Sequence, residues 1–238
     1  MKILNRTFKT PEQNLACDEA LLDAAEEGLS DEVLRFWSPD DYFVVLGYSG
    51  KIADDVELDA CRAAGVPVLR RASGGGTVLQ GPGCLNYSLV LSTEKRKEIP
   101  GIVSTNHFIM ERQRQALLSP SSAVEVRGVT DLAVGGKKFS GNAQRRKKKF
   151  VLFHGTFLLD FDLDRISRFL KIPPRQPDYR RNRTHRDFLA NFPLFEKEVR
   201  EKISAAWNAS EDSGFDPEEK MKGLVESRYS KEEWNFKF

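Results

Sequence analysis

Apolar and polar positions along this chain change period several times, and each change marks an expected element. Thr10-Pro11-Glu12 predicts a helix start, with Thr10 as N-cap and Pro11 in the first helical position. The helix runs through NLACDEALLDAAEE and stops at Gly28, a residue suited to the left-handed conformation. Residues 33–37 and 42–46 are short runs rich in valine and aromatics and predict strands. Residues 54–64 predict a short helix ended by Gly65, and 66–69 begin a strand that enters a glycine-dense turn. The strand pattern resumes over 86–91, and Ser104 or Thr105 is expected to cap a helix through Leu118. After a Ser/Pro break, strands are expected over 123–127, 132–134 and 150–160. From Leu163 onward helical stretches surround a Pro/Arg-rich loop at 173–186, and 196–207 is the clearest late helix. Strands and helices mix instead of alternating strictly. That predicts an α+β (mixed α/β) fold: a predominantly mixed or antiparallel sheet flanked by helices, not a doubly wound one. No repeat or linker divides the chain, so one domain over 1–238 is expected, with residues from about 190 to 238 as a helical C-terminal extension.

Composition narrows the function classes. Thirty-seven basic residues against 35 acidic ones leave a net charge of +2, so the whole molecule gives no electrostatic reason to expect nucleic acid or a membrane as partner. Cys17, Cys61 and Cys84 form no CxxC pair, which argues against a disulfide framework and a cysteine zinc site. With no paired Cys/Asp/Glu spacing around His107, His154 or His185, no metal site built by the protein is expected. The opening residues MKILNRTFKTPEQN lack the apolar run of a signal peptide. No segment reaches the roughly 18 apolar residues of a membrane span. A cytoplasmic location is the expectation.

Two stretches carry candidate chemistry. In Arg70-Arg71-Ala72-Ser73-Gly74-Gly75-Gly76-Thr77-Val78-Leu79-Gln80-Gly81-Pro82-Gly83, three consecutive glycines lie between strands at a cost in conformational entropy. Their N–H groups can form an anion-binding nest, with Arg71 able to add a bidentate contact. A plain flexible hairpin fits the glycines equally at this point. The spacing matches neither a dinucleotide fingerprint nor a P-loop. In Gly135-Gly136-Lys137-Lys138-Phe139-Ser140-Gly141-Asn142-Ala143-Gln144, the Gly-Gly pair predicts a hairpin turn, with Lys138 on the returning strand before a small-residue turn. Alternation puts Lys137 and Lys138 on opposite faces. A lysine in a concave site can stabilise charge shifting between a carboxylate and a phosphate; two solvated lysines are the plainer reading.

Taken in order, RRASGGGTVLQGPG, GKKFSGNAQRR and FHGTFLLDFD resemble the lipoate–protein ligase A family, within a superfamily that includes octanoyltransferases and biotin–protein ligases. The similarity runs from about Asn14 to about Leu189. The resemblance implies a biotin/lipoate ligase catalytic-domain-like fold with its pocket between the Gly-rich loop and the lysine strand. It implies ATP (with Mg2+ carried on it) and lipoate or octanoate as substrates. It makes Lys138 the catalytic lysine, touching acyl carbonyl and phosphate, and Arg71, Ser73, Gly75, Gly76, Thr77, Val78, Leu79 and Lys138 the nucleotide-side residues. Gln80, Asn86, Ser140, Gly141, His154 and Gly155 are the implied acyl-side contacts. The implied partners are the lipoyl-carrier domains of 2-oxoacid dehydrogenase E2 subunits or the glycine cleavage H protein.

The chain departs from the family pattern in three ways. Full-length ligases often carry a further C-terminal domain, and residues 190–238 are too few for it, so a separate accessory subunit is a possible partner. Gln80 stands where relatives commonly have histidine. The cysteine nucleophile of the octanoyltransferases has no counterpart at Val151, Leu152 or Phe153, nor between Arg127 and Asp131; Cys84, beside the Gly-rich loop, reads as a buried small hydrophobe or an unusual nucleophile. The leading expectation is a lipoate–protein ligase that forms lipoyl-adenylate and passes the lipoyl group to a carrier lysine. The alternative is an octanoyl/lipoyl-transferase that uses a preformed thioester or adenylate without ATP. A non-catalytic binder acting through its basic elements is a third class. Those elements are Arg145-Arg146-Lys147-Lys148-Lys149, either a solvated hairpin tip or a carrier-docking patch, and the loop Tyr179 to Arg186.

Overall fold

The computed structural model of the chain describes residues 1–119 and 123–238. Among the described residues the strands are β1 (Lys2–Asn5), β2 (Val33–Trp37), β3 (Phe43–Leu46), β4 (Val68–Arg70), β5 (Val78–Gln80), β6 (Cys84–Ser92), β7 (Val124–Arg127), β8 (Asp131–Val134), β9 (Lys137–Arg146), β10 (Phe150–Leu158) and β11 (Glu211–Asp212). Eight form one sheet in the order β11-β1-β2-β6-β10-β9-β8-β7, and β4-β3-β5 form a second. β1 runs parallel to both its neighbours, while every pairing from β2 across to β7 is antiparallel. The fold is the α+β, mixed-sheet architecture that the pattern predicts.

Helix Pro11–Glu26 forms for the reasons its sequence gives. Thr10 accepts from the Gln13 amide at 3.3 Å and the Gln13 side chain accepts from the Thr10 amide at 3.1 Å, a closed capping box. Gly28 follows with φ +79. The helix is buried along most of its length between the large sheet and the C-terminal helix Glu218–Leu224, with Leu15, Leu21 and Leu22 meeting Trp37, Val90, Leu152 and Met221. On the opposite face, helices Ile102–Leu117 and Glu196–Ala206 cover Leu34, Tyr87, Leu89 and Phe153 with Ile109, Met110, Val199 and Ile203. The small sheet closes a third cluster against helix Asp164–Phe169.

Four expectations change. The helix over 54–64 is two short helices, Ile52–Asp55 and Leu58–Ala63, because Val56 leaves the helix to bridge Leu170. The next helix starts at Ile102, before Ser104, whose hydroxyl turns back to accept from the Gly101 amide at 3.0 Å. Residues 140–143 form no turn; they lie inside β9, whose ten residues are longer than the pattern indicated. Residues 190–238 supply β11 as well as helices. The Gly135-Gly136 hairpin does form, with φ +56 and +71. No helix of the described residues is long and apolar enough to cross a membrane.

Candidate functional site

The Gly-rich loop folds over the face of the large sheet that helix Pro11–Glu26 also covers. A methyl group on Gly75 would lie 3.4 Å from Ala143 Cβ of β9, so loop and lysine strand meet there. Ladder register places Ser88, His154 and Ala143 in one row of that face, and Asn86, Thr156 and Gly141 in the next.

Lys138 joins this face through a bulge. By simple alternation it would share a side with Ser140 and Asn142. The β8–β9 register instead shifts: Ser140 pairs with Leu132 and Lys138 with Ala133, leaving Phe139 as the extra residue. The extra residue reverses the alternation, so Lys138 lies beside Gly141. Its Nζ is 2.7 Å from Asp131 Oδ1, and Tyr179 donates to Asp131 Oδ2 at 2.7 Å. Burial and the Asp131 carboxylate push the Tyr179 phenol up, so it stays a donor. A Cβ on Gly141 would stand 2.7 Å from Lys138 Nζ, so glycine there makes room for the ammonium. Phe139 is buried and stacks on Phe192 with ring centroids 4.3 Å apart, which anchors the bulge.

The loop itself is organised by two arginines. Arg71 is buried, which pulls its guanidinium down to about 10. It donates to the carbonyls of Gly74 and Gly76 (2.9 Å for the latter) and from Nε to Ser73 Oγ at 3.0 Å. Arg70, which sequence reasoning passed over, is fully buried and donates to the carbonyls of Gly47, Gly50 and Asn235 at 2.9, 2.7 and 3.0 Å. Trp234 returns a hydrogen bond from Nε1 to the Arg70 carbonyl at 2.8 Å. The C-terminal segment is thereby tied to the strand that leads into the loop. The glycines have separate reasons. Gly75 has φ +91, and a Cβ on Gly47 would overlap its carbonyl oxygen. Gly74 and Gly76 have neither: their φ is not left-handed, and a Cβ would meet nothing within 4 Å.

Beneath the loop lies a chain of buried polar groups. Arg35 donates to Asp18 at 2.6 Å, Asp18 Oδ2 faces His154 Nδ1 at 3.0 Å, and His154 Nε2 is 2.6 Å from Ser73 Oγ. Burial raises the Asp18 carboxyl, but Arg35, His154 and Ser88 together override it and hold the group below its usual range. Glu19, next on the helix, is enclosed by Arg145 at 3.0 Å, Arg228, and the Tyr229 hydroxyl at 2.7 Å. Asp18, Glu19, Arg35 and Asp131 are not among the residues the sequence singles out; for the first two the available signal is an adjacent acidic pair flanked by the apolar runs Leu15–Cys17 and Ala20–Leu22.

The remaining expected residues fall into place unevenly. Gln80, Asn86 and Thr156 close a ring of hydrogen bonds at 2.6, 3.0 and 2.5 Å on the sheet face that carries His154. Thr77 donates to Asp55 at 2.7 Å, Val78 is partly buried, and Leu79 is buried in the apolar cluster behind the small sheet. Ser140 turns the other way: buried, it accepts from Asn142, whose Oδ1 takes the Tyr87 hydroxyl in the helix-covered core. Ser140 therefore lies on the opposite face from His154 and Thr156. A Cβ on Gly155 would strike Asn142 Oδ1, an internal reason for that glycine. The basic run is no simple solvated tip, since Arg145 holds Glu19, Arg146 donates to the Ile99 carbonyl at 2.7 Å and Lys147 pairs with Asp23 at 2.6 Å; only Lys148 and Lys149 are exposed. All three cysteines are buried, and burial pushes Cys17 and Cys84 up to about 12 and raises Cys61.

Comparison with known proteins follows the same lines. Residues 10–192 match the model of the lipoyl protein ligase A/B catalytic domain. The chain is 29% identical to octanoyltransferase LipM of Lysinibacillus sphaericus, across 98% of both chains. It superposes on the bi-partite lipoate protein ligase studied with its E2 lipoyl domain from Thermoplasma acidophilum with a TM-score of 0.81, at 26% identity over 99% of this chain and 96% of that one. A crystal structure of lipoate-protein ligase A bound with ATP gives a TM-score of 0.80 at 27% identity, over 99% of each chain.

Proposed function

The chain belongs to the lipoyl protein ligase A/B catalytic-domain family, and on that premise we propose that it is an ATP-dependent lipoate–protein ligase. That it is an enzyme of the lipoate ligase and octanoyltransferase type follows from its relatives on both sides. The observation that carries the ligase reading is the state of the cysteines. A transferase of the acyl-enzyme kind needs an accessible thiolate, and here every thiol is buried and pushed away from ionisation. Without a covalent carrier, the acid has to be activated before the carrier lysine attacks it, and an acyl-adenylate meets that need.

In this reading the turn at residues 73–76 offers backbone N–H groups to the nucleotide phosphates. Gly74 and Gly76 support it, because nothing inside the protein requires glycine at either position. Lys138, free to reach across Gly141, stabilises the charge that builds on the phosphate and acyl oxygens as the acid attacks and as adenosine monophosphate departs. Asp131 and Tyr179 hold the ammonium in reach until substrate arrives. In this reading Mg2+ is carried in on the nucleotide's own phosphates. The single catalytic domain acts on a lipoyl-carrier domain, as the Thermoplasma relative is described with an E2 lipoyl domain, and an accessory subunit has its precedent in that bi-partite enzyme.

The second reading is an octanoyl- or lipoyl-transferase working from a preformed thioester, favoured by the similarity to LipM over nearly the whole chain. Mass analysis of a lipoyl-carrier domain separates the two. The ligase reading expects a carrier lysine modified by lipoate or octanoate only with ATP present; modification from an octanoyl-carrier thioester without ATP overturns it.

A further inference from the structure

Fixing a peptide's carbonyl also fixes the N–H of the next residue, because the group is planar and trans. In the Gly-rich loop those carbonyls are held from inside the protein. Tyr48 donates its backbone N–H to the Ser73 carbonyl at 2.8 Å, and Arg71 donates to the carbonyls of Gly74 and Gly76. The N–H groups of Gly74, Gly75 and Thr77 therefore point away from these donors. Among the described residues no backbone carbonyl accepts from the Gly74 or Gly75 N–H.

Tyr48 is itself held from a distant part of the chain. It lies in a turn closed by the Gly50 N–H on the Gly47 carbonyl at 3.0 Å. Arg70 gathers that turn, Nη1 donating to the carbonyls of Gly47, Tyr48 and Gly50 at 2.9, 3.1 and 2.7 Å. The other end of the guanidinium faces the C-terminal segment: Nε donates to the Trp234 carbonyl at 3.1 Å and Nη2 to the Asn235 carbonyl at 3.0 Å. The same two residues hold the Arg70 backbone. Asn235 Oδ1 accepts its N–H at 2.9 Å, and Trp234 Nε1 donates to its carbonyl at 2.8 Å. The Trp234 ring meets the Tyr48 ring edge-on with centroids 5.8 Å apart, and Lys237 Nζ lies 3.4 Å from the centre of the Tyr48 ring. A Cβ on Gly47 would overlap the Gly75 carbonyl oxygen, so turn and loop are in direct contact.

We propose that Trp234 and Asn235 are positioning residues for the Gly-rich loop: through Arg70 and the turn at residues 47–50 they set the direction in which the loop's N–H groups point. Arg70 is a rigid planar fork, so releasing its Nε and Nη2 end lets its Nη1 end shift as well. A shifted turn loosens the Tyr48–Ser73 hydrogen bond and frees the Ser73–Gly74 peptide to rotate, with no Cβ at Gly74 to resist. The inference rests on the reading that nucleotide phosphates lie on residues 73–76, and it adds the part of the chain that keeps that turn in shape.

Two variants and a control test it in the full chain. Trp234→Phe keeps a ring and removes the donor to the Arg70 carbonyl; Asn235→Ala removes the acceptor of the Arg70 N–H. Met221→Ala opens the packing of the C-terminal helix Glu218–Leu224 against helix Pro11–Glu26 and leaves every Arg70 contact in place. Hydrogen exchange at the Tyr48 amide reports the turn, and lipoate-dependent ATP–pyrophosphate exchange reports the site. In both tail variants the amide should exchange about tenfold faster or more. KM for ATP should rise about tenfold while kcat stays within a few-fold. Met221→Ala should lower the urea midpoint yet match the parent in both readouts. If Asn235→Ala does not fold, Trp234→Phe decides alone. Unchanged Tyr48 exchange, an unchanged KM for ATP, or the same changes in Met221→Ala overturns this inference and leaves the ligase reading standing. A parent protein without ATP–pyrophosphate exchange overturns the ligase reading, and the inference falls with it.

Discussion

Gly76→Ala separates a glycine needed by the fold from one needed by a ligand. At Gly76 the backbone lies outside the left-handed region and an added Cβ has no neighbour within 4 Å. The substitution therefore introduces no strain, and it removes freedom from the unfolded chain, a gain of about 0.4–1 kcal/mol. Gly75→Ala is the contrast: φ is +91 and the new methyl would stand 2.8 Å from Arg71 Nη2, so a loss of about 1–2 kcal/mol is expected. If phosphates lie on the loop's N–H groups, the methyl at 76 occupies their approach and weakens nucleotide binding by about tenfold or more, roughly 1.4 kcal/mol. Urea midpoints give the stability and ATP titration the affinity. A destabilised Gly76→Ala, or one that binds ATP as the parent does, refutes the reasoning.

Further outcomes follow from the same geometry. Lys138→Ala should keep its fold, since its ion pair with Asp131 is partly solvated and worth about 0–1 kcal/mol, yet lose acyl transfer by a hundredfold or more in a carrier-modification assay. Cys84→Ala should retain transfer within a few-fold, and native protein at pH 8 should resist alkylation at all three thiols; a large loss of activity in that variant restores the acyl-enzyme alternative. Asp18, held below its ordinary 3.8, contributes stability that is present above that pH and lost as pH falls below it, so Asp18→Asn should flatten the acid limb of a stability–pH curve.

What the sequence could reveal was local. The Thr10 N-cap, the Gly135-Gly136 hairpin and the extent of β2 depend on neighbours within a few residues, and all three are as expected. The two stretches that carry the candidate chemistry also meet in space, at Gly75 and Ala143. The misses are long-range. Nothing near Arg70 announces Trp234 and Asn235, more than 160 residues away, yet they decide why that arginine is there. The helix at 54–64 breaks because Val56 finds Leu170. Lys138 comes to lie beside Gly141 because Phe139 drops out of the ladder to stack on Phe192, which strict alternation cannot foresee. The Asp18–His154–Ser73 chain joins three segments whose polar residues each look ordinary alone.

The central claim is that this chain activates a free acid with ATP. ATP–pyrophosphate exchange by the purified protein, with and without lipoate or octanoate, tests it most directly. The account predicts exchange that depends on the acid and disappears in Lys138→Ala. Folded protein that shows no acid-dependent exchange, yet transfers octanoyl groups from a carrier thioester, would contradict it.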